Sequence, residues 1–409
     1  MIDYEKYLSN IAKSMRASEI RELLAAISVR KDIISLAGGA PDPATFPKSK
    51  LAEISVKVIT EYGDSSLQYS ETKGVRFVRE ILVEFLEKIR GFKANVDDVL
   101  ITTGSQQALD IIARALIDPG DIVITENPTY LAALGSFRMA GANIIGVKID
   151  EFGMKTDLLE DTVKKIISEG GRIKFIYVIP VAQNPAGTTM STDRKKHLIE
   201  IASKYDLLIV EDDPYSYFTY EPNVDTTSLK TMDKEERVIY ISTISKILAP
   251  GLRIGWIVSP DNLTRRFEIV KQYLDLHTPT LNQYILGEIL KSDIIFEHIS
   301  KLAPYYKVKR DTIVKAIEEY FPKDIWYTKP VGGLFVFVYV NIKGFNATKL
   351  MPIALDKYKV AYVPGQSFHP DGSGANSMRL NFSFPPPEKI EDGIRRLGDM
   401  IRNETGLTS

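Results

Sequence analysis

The sequence predicts an α/β protein, with a large domain built on a mostly parallel sheet between helices and a smaller α+β domain. Between residues 99 and 260, short β-branched runs alternate with longer stretches of helical periodicity. These runs are apolar almost throughout, as is usual for strands that are buried on both faces of a sheet. After about residue 295 a long, charged helical region interrupts this alternation, and further strands follow it. Such alternation is typical of an open parallel sheet with helices on both sides.

Composition excludes several classes of protein. The chain has 409 residues, no cysteine and a net charge of −1, which allows two or three domains and argues against a protein that coats nucleic acid or anionic membrane. Disulfides and thiolate metal sites are impossible, and the four histidines form no HExxH-type pair, so we expect no metal site. Apolar runs are shorter than the ~18 residues of a membrane span. No apolar signal core begins the chain, and we expect a cytoplasmic enzyme.

The first predicted element is a helix over residues 17–28. Ser18 can cap it, and an apolar stripe follows one face. The stripe consists of Ile20, Leu23, Leu24 and Ile27. A turn rich in glycine and proline follows at residues 35–43 and marks a passage between structural units.

The later elements complete the two domains. Predicted strands of the large sheet are 99–102, 121–124, 175–179, 207–210 and 238–241. Helical stripes lie between them, at Leu109, Ile112, Ala113 and Leu116, and at Leu198, Ile201 and Ala202. Further strands are predicted at 332–338, 360–363 and 378–382, before a closing helix with Ile390, Ile394, Leu397 and Ile401 on one face. We therefore predict an N-terminal arm (1–45) that packs with the small domain, a large domain (46–295) and a small domain (296–409).

The most informative stretch is residues 243–256, which follows a predicted strand. Lys246 has hydroxyl residues close before it, Thr243 and Ser245, and Arg253 seven positions after it. Hydroxyls together with an arginine suit a phosphate dianion, and a lysine amine suits a Schiff base to an aldehyde. An aldehyde that bears a phosphate describes pyridoxal 5′-phosphate (PLP).

This stretch resembles the lysine motif of the fold-type I, class I/II aminotransferases, and the similarity extends from about residue 15 to 400. Within that family the chain is most similar to the 2-aminoadipate aminotransferases of prokaryotic lysine biosynthesis and to their multisubstrate and aromatic relatives. The resemblance implies the fold-type I architecture and PLP as the cofactor. It also implies the site residues that follow.

For the phosphate, the resemblance points to the turn that opens a helix after strand 99–102. Unpaired N–H groups at a helix start form an anion site. The family usually has serine at position 243, and threonine keeps the hydroxyl there. The implied phosphate ligands are Ser105, Gln106, Thr243, Ser245 and Arg253. Tyr69 is implied to reach the phosphate of a neighbouring subunit, so a homodimer is expected.

For the pyridine ring, the resemblance implies that Tyr130 stacks on its face, and stacking holds the plane of the ring. Asn184 and Tyr215 would bond the 3′-oxygen, and Asn184 would also lie beside the substrate. An acid facing the ring nitrogen would keep it protonated. Three acids compete at 211–213, and the family spacing, with Asp three residues before Tyr, selects Asp212. Ala186 stands where the family usually has threonine.

For the substrate, the guanidinium fork of Arg379 fits a carboxylate through two parallel hydrogen bonds. The resemblance gives it the α-carboxylate, which the backbone of Gly39 can also approach. Arg21 matches an arginine that the aminoadipate enzymes use for a distal carboxylate. It could equally be a solvent-exposed helix residue, and Arg16 could share or replace its role. The segment 276–279 resembles the same subgroup, but no chemistry is assigned to His277.

The resemblance predicts a ping-pong aminotransferase in which Lys246 acts as base and then as acid. The donor is 2-aminoadipate, glutamate, or also an aromatic or branched amino acid, and the acceptor is 2-oxoglutarate. A β-lyase or racemase on the same scaffold is the alternative. A PLP-binding transcription regulator is more remote, because only about forty residues precede the catalytic-type region, whereas such regulators carry a winged-helix DNA-binding domain there.

Overall fold

The structure, a computed structural model, describes residues 2–14, 27, 30–323 and 325–406. Of the predicted helix over 17–28 only Ile27, which is buried, lies within the described residues. The helices are α1 Asn10–Ser14, α2 Lys48–Ser66, α3 Arg76–Arg90, α4 Ser105–Leu116, α5 Leu131–Met139, α6 Thr156–Ser168, α7 Thr192–Lys204, α8 Leu229–Met232, α9 Asp261–Asp275, α10 Thr280–Lys291, α11 Ile294–Tyr320, α12 Ala347–Ile353 and α13 Pro387–Thr405. The strands are β1 Ile34–Ser35, β2 Val99–Thr102, β3 Ile122–Asn127, β4 Asn143–Asp150, β5 Gly153–Met154, β6 Ile173–Val178, β7 Leu208–Asp212, β8 Val238–Thr243, β9 Gly255–Val258, β10 Ile325–Tyr327, β11 Phe335–Val340, β12 Val360–Ala361, β13 Val363–Pro364 and β14 Ser377–Asn381.

Eight strands form the large sheet, in the order β2-β9-β8-β7-β6-β3-β4-β5. The central block β4-β3-β6-β7-β8 is parallel, which confirms the α/β class. Strand β9 runs antiparallel to both of its neighbours. It returns from β8 through a loop that is too short for the helical crossover required by a parallel partner.

Helices cover both faces of this sheet. On one face Val210 and Ile239 are buried in a cluster with Ile112 of α4. On the other face Ile209 and Val238 are buried with residues of α6 and α7. Adjacent residues of a strand thus enter opposite cores, as the two-residue period of a strand requires. Every residue of β8 is buried, and this explains why the strand appears in the sequence as an apolar run.

Strands β2 and β8 are both antiparallel to β9 and therefore run in the same direction. The carboxyl ends of β2, β3, β6, β7 and β8 thus lie at one edge of the sheet. Ligands of open α/β sheets bind outside this edge. The loops that leave these strand ends carry most of the residues predicted for the site.

A second, antiparallel sheet has the order β10-β11-β14-β13. Strand β1 pairs in parallel with β12, and Asn381 of β14 donates its N–H to the Leu36 carbonyl at 2.8 Å. The segment that contains β1 therefore pairs with the C-terminal part of the chain, and the arm and the domain boundaries stay a prediction. In the described part of the chain no helix combines the length and apolarity needed to cross a bilayer.

Candidate active site

Lys246 lies in the loop that follows β8 and is half-buried. Its Nζ donates to the carbonyl of Gly39 at 2.7 Å. Burial lowers the pKa of the amine to about 8, and the nearby cations Arg379 and Arg253 act in the same direction, against the attraction of Asp212. An amine with this pKa is partly neutral near pH 7 to 8, and a neutral amine is the form that attacks an aldehyde.

Asp212 ends β7 and is buried beside this amine. Its Oδ2 accepts a hydrogen bond from the hydroxyl of Tyr177 at 2.8 Å. Its Oδ1 is buried and has no hydrogen-bond partner among the described residues. Burial raises the pKa of Asp212 to about 7, and the hydrogen bond from Tyr177 opposes that rise. Because an unsatisfied buried oxygen is costly, this carboxylate is suited to accept an N–H from a bound ring.

The two neighbouring acids point elsewhere. Glu211 accepts hydrogen bonds from the Ser228 hydroxyl at 2.7 Å and from backbone N–H groups at the start of α8. Asp213 forms a buried ion pair with Arg90 at 2.9 Å. Alternation along a strand places Glu211 and Asp213 on the face opposite to Asp212. The geometry therefore supports the choice of Asp212 among the three acids.

The turn that begins α4 forms a cradle beneath Arg253. Gly104 has a φ of +79°, and a Cβ at that position would collide with the guanidinium of Arg253. A Cβ on Gly255 would lie 2.7 Å from the backbone nitrogen of Ser105. Both glycines therefore allow an approach between the helix start, β9 and Arg253 that other residues would prevent.

Hydroxyl groups line the same cradle. Thr243 and Ser245 are hydrogen-bonded to each other at 2.9 Å, and Arg253 Nη1 lies 3.5 Å from the Ser245 hydroxyl. Gln106 directs its side-chain amide to Ser136 at 3.0 Å, so its contribution to a ligand here would be its backbone N–H. Free N–H groups of a first helical turn, two hydroxyls and an arginine together form an anion site.

Arg379, on β14, is a buried cation without an acidic partner among the described residues. It donates to Asn184 Oδ1 at 3.0 Å and to the Gly38 carbonyl at 3.1 Å, and its Nε has no partner within that part of the chain. The rings of Phe335 and Phe368 lie 4.2 and 5.0 Å from the guanidinium. Burial lowers its pKa to about 10. A substrate carboxylate would supply the missing counter-charge.

Three other predicted residues lie around these groups. Asn184 follows β6 and is held by Arg379. Tyr215 is buried, with its ring edge-on to Phe335 at 6.1 Å between centroids. Tyr130 directly precedes α5, and its hydroxyl is close enough to Arg379 to influence the pKa of that guanidinium. Gly39 completes the group through its bond to Lys246.

Other predicted residues are not part of this group. The side chain of Tyr69 is 77% exposed, and its ring lies edge-on to His277 at 5.7 Å. Arg16 and Arg21, the candidates for a distal carboxylate, lie outside the described residues.

Sequence reasoning missed three polar residues behind the site. Tyr177 donates to Asp212, and Gln183 bridges the Pro128 carbonyl and Glu126. Glu126 is fully buried, and burial raises its pKa to about 8. A signal existed for Tyr177, because a tyrosine in the middle of an apolar strand needs a partner for its hydroxyl. Glu126, an acid near the end of the buried strand β3, gave a similar signal.

These features fit PLP. Asp212 Oδ1 lacks a donor where a pyridinium N–H would supply one. The cradle under Arg253 has the charge and donors for a phosphate, and Lys246 offers an amine for the aldehyde. The fit rests on Asp212 Oδ1, which lacks a hydrogen-bond partner among the described residues, and on the close contacts at Gly104 and Gly255 that a side chain would prevent.

Comparison with known proteins agrees with this geometry. The model of the family described as aminotransferase class I and II matches residues 31–397. The chain is 44% identical to aromatic-amino-acid aminotransferase 1 of Thermococcus litoralis, over 98% of this chain and 96% of the relative. It is 36% identical to the 2-aminoadipate transaminase of Thermus thermophilus, over 97% and 96% of the two chains. The crystal structure of Pyrococcus horikoshii kynurenine aminotransferase in complex with PMP is similar, with a TM-score of 0.95, 44% identity, and coverage of 100% of this chain and 99% of that one.

Proposed function

The chain belongs to the class I and II aminotransferases, and we propose that it transfers amino groups from L-amino acids to 2-oxoglutarate by a ping-pong mechanism at the site around Lys246. It is a PLP-dependent transaminase. The observation that carries the proposal is the meeting of three groups in one buried place. These are the amine of Lys246, the unsatisfied oxygen of Asp212 and the cation of Arg379, which lacks a counter-ion among the described residues.

PLP, when bound, supplies an electrophilic aldehyde and an electron sink for the negative charge that develops at the substrate Cα. Arg379 binds the substrate α-carboxylate, and the two phenylalanine rings keep water away from the guanidinium. With PLP bound, Asp212 would hold a proton on the ring nitrogen, Asn184 and Tyr215 would hydrogen-bond the 3′-oxygen, and Tyr130 would stack on the ring.

Lys246 moves the proton. With PLP and an amino donor bound, the free amine of Lys246 would take the proton from the substrate Cα as a base and would then give it up as an acid. A pKa of about 8 suits both steps, since efficient acid–base catalysts have pKa values near the working pH. Ser105, Gln106, Thr243, Ser245 and Arg253 hold the phosphate.

The donors that we propose are 2-aminoadipate and glutamate, with aromatic or branched amino acids also accepted. The relatives named for 2-aminoadipate, aromatic amino acids and kynurenine support this range. We assign Arg21, with Arg16 as its substitute, to the distal carboxylate of acidic substrates. We also propose a cytoplasmic homodimer with a role in lysine biosynthesis.

The reaction is tested by incubating purified enzyme with each amino donor in the absence of an acceptor. An aminotransferase converts its cofactor to pyridoxamine phosphate and releases one equivalent of 2-oxo acid, then regains its original spectrum when 2-oxoglutarate is added. A β-lyase would release ammonia, and a racemase would produce the D-amino acid. Either product, without cofactor conversion by any donor, would contradict the proposal.

A further inference from the structure

A polar cluster with a buried lysine at its centre lies behind the turn that begins α4. We call Thr103, Gln107, Lys271 and Asp275 the Lys271 cluster. The side chain of Lys271 is fully buried, and its Nζ donates to Gln107 Oε1 at 2.8 Å and to Asp275 Oδ1 at 2.7 Å. A lysine that is buried to this extent is rare unless it is paired. The proposed mechanism does not use it.

The cluster fixes Thr103 through its N–H group and its hydroxyl. The Thr103 N–H donates to Gln107 Oε1 at 2.7 Å, and its hydroxyl donates to Asp275 Oδ2 at 2.8 Å. The Gln107 amide donates to the same carboxylate oxygen at 2.6 Å. The Thr103 carbonyl accepts from Arg253 Nη2 at 3.3 Å. Because Thr103 directly precedes Gly104 and Ser105, these bonds determine where the first N–H groups of α4 and the guanidinium of Arg253 lie.

Backbone strain marks the other side of the cluster. Leu276, which follows Asp275, has φ 65° and ψ −59°, and the His277 N–H donates to the Asp275 carbonyl at 2.7 Å. This is the strained form of the γ-turn. Strain of this kind persists only where the surroundings determine the conformation on both sides. Asp275 is held by the cluster, and the Thr278 carbonyl accepts from Gln283 at 2.7 Å.

We infer that the Lys271 cluster positions the phosphate-binding turn, so that Asp275 and Lys271 set the affinity for the cofactor phosphate without touching it. The inference rests on the proposed function, in which this turn takes the phosphate. Lys271 and Asp275 carry opposite charges at contact distance, so their fields largely cancel at the turn. Their effect therefore acts through the geometry of Thr103.

The test compares two ligands that differ only in the phosphate. The cofactor is removed from the holoenzyme, and the protein is titrated with PLP and with pyridoxal, which lacks the phosphate, following the visible absorption of the lysine-bound ligand. Asp275→Ala removes two hydrogen bonds and the ion pair. Thr103→Val removes only one hydroxyl and keeps the side-chain shape. Gln272→Ala, at an exposed position of the same helix, is the matched control.

We expect Asp275→Ala to raise the Kd for PLP by roughly ten- to a hundredfold, since hydrogen bonds that involve charged groups have effects of this size. The Kd for pyridoxal should change by less than about threefold. Thr103→Val should also raise the Kd for PLP more than the Kd for pyridoxal, but by a smaller factor. This variant keeps the test valid if Asp275→Ala does not fold. Gln272→Ala should match the wild type for both ligands.

Equal losses for PLP and pyridoxal would show a general structural role and overturn the inference. Unchanged binding of PLP in both variants would overturn it as well. The proposed function fails separately, in the wild type alone, if PLP binds no more tightly than pyridoxal or if neither ligand binds. The inference then falls with it.

Discussion

Among the residues that the structure describes, the hydroxyl of Tyr177 is the side-chain group that donates a hydrogen bond to the carboxylate of Asp212. This hydrogen bond favours the charged carboxylate and opposes the effect of burial, and a charged Asp212 is what keeps a ring nitrogen protonated. Tyr177→Phe removes only the hydroxyl, so we expect kcat to fall by roughly ten- to a hundredfold. The KM of the amino donor should change little, because Arg379 is untouched. Steady-state kinetics check this, and an unchanged kcat would contradict the role given to Tyr177.

Glu126 makes the free energy of unfolding depend on pH. Burial raises its pKa from an ordinary value to about 8, so the folded state holds a proton that the unfolded state loses above about pH 4.5. Between these pH values the folded state binds more protons, and stability falls as pH rises. Glu126→Gln has no proton to lose at this position, so this source of the fall in stability with rising pH is removed.

The advantage of Glu126→Gln over wild type should therefore grow from pH 5 to pH 8, by up to roughly 1 kcal/mol per pH unit. Denaturant unfolding of both proteins across this range measures it. A difference that stays constant with pH would show that Glu126 is already ionised in the folded state.

At the level of single residues, sequence reasoning predicted the groups to which the proposed function gives contacts with the ligands, and it missed the polar groups behind them. Lys246, Asp212 and Arg379 stand in motifs that resemble a known family. Tyr177, Glu126 and Gln183 have no assigned contact with a ligand and act through protein partners that are 35 to 57 positions away along the chain. Such pairings depend on the order of strands in the sheet, which hydrophobic periodicity does not give.

At the level of elements, the loop at residues 38–42 is tied to α11 and to the segment after β14. Asp42 accepts from Lys309 at 2.5 Å and from Tyr305 at 2.6 Å, and the Ala40 carbonyl accepts from Ser383 at 2.6 Å. The same loop carries the Gly39 carbonyl that meets Lys246. This attachment keeps one wall of the site in place.

Asp42→Ala should loosen that wall. We expect the KM of the amino donor to rise by roughly tenfold and the free energy of unfolding to fall by about 3 kcal/mol, because Lys309 is left buried without its carboxylate. The visible spectrum of the bound cofactor should stay as in the wild type. Asp42→Asn, which keeps the shape, serves as the control, and a normal KM in Asp42→Ala would contradict the proposed role of the loop.

The strands of the large sheet were largely predictable, since buried parallel strands are continuous apolar runs. The predicted strand at 99–102 matches β2 in both bounds. Strands β4, β5 and β9 were not predicted. The residues of β9 lie inside the informative stretch after Lys246, and its antiparallel direction follows from the short connection to β8. The predicted first helix stays a prediction, since all but one of its residues lie outside those that the structure describes.

At the level of the whole molecule, the exposed surface around Tyr69 supports the proposed homodimer. Leu67 and Tyr69 are 66 and 77% exposed. Exposed apolar groups of this size are typical of interaction surfaces when they are contiguous. A partner subunit at this surface would receive Tyr69 near its own phosphate cradle.

Hybrid dimers test that arrangement. Lys246→Ala and Tyr69→Ala subunits should each have little activity alone. After unfolding and refolding together they should regain activity, because a hybrid dimer contains one site with an intact lysine and the partner's intact Tyr69. Light scattering establishes the mass of each species. The absence of recovery in a mixture that contains hybrid dimers would contradict the shared site.

The most direct measurement is to reduce the enzyme with borohydride, with and without prior incubation with glutamate. The modified peptide is then mapped by mass spectrometry. Reduction fixes any bond between a lysine and the cofactor. We predict a pyridoxyl group on Lys246 before glutamate and its loss after glutamate, when the cofactor carries the amino group and leaves the lysine free. Modification of a different lysine, or a pyridoxyl group on Lys246 that persists in saturating glutamate and every other amino donor, would contradict the account.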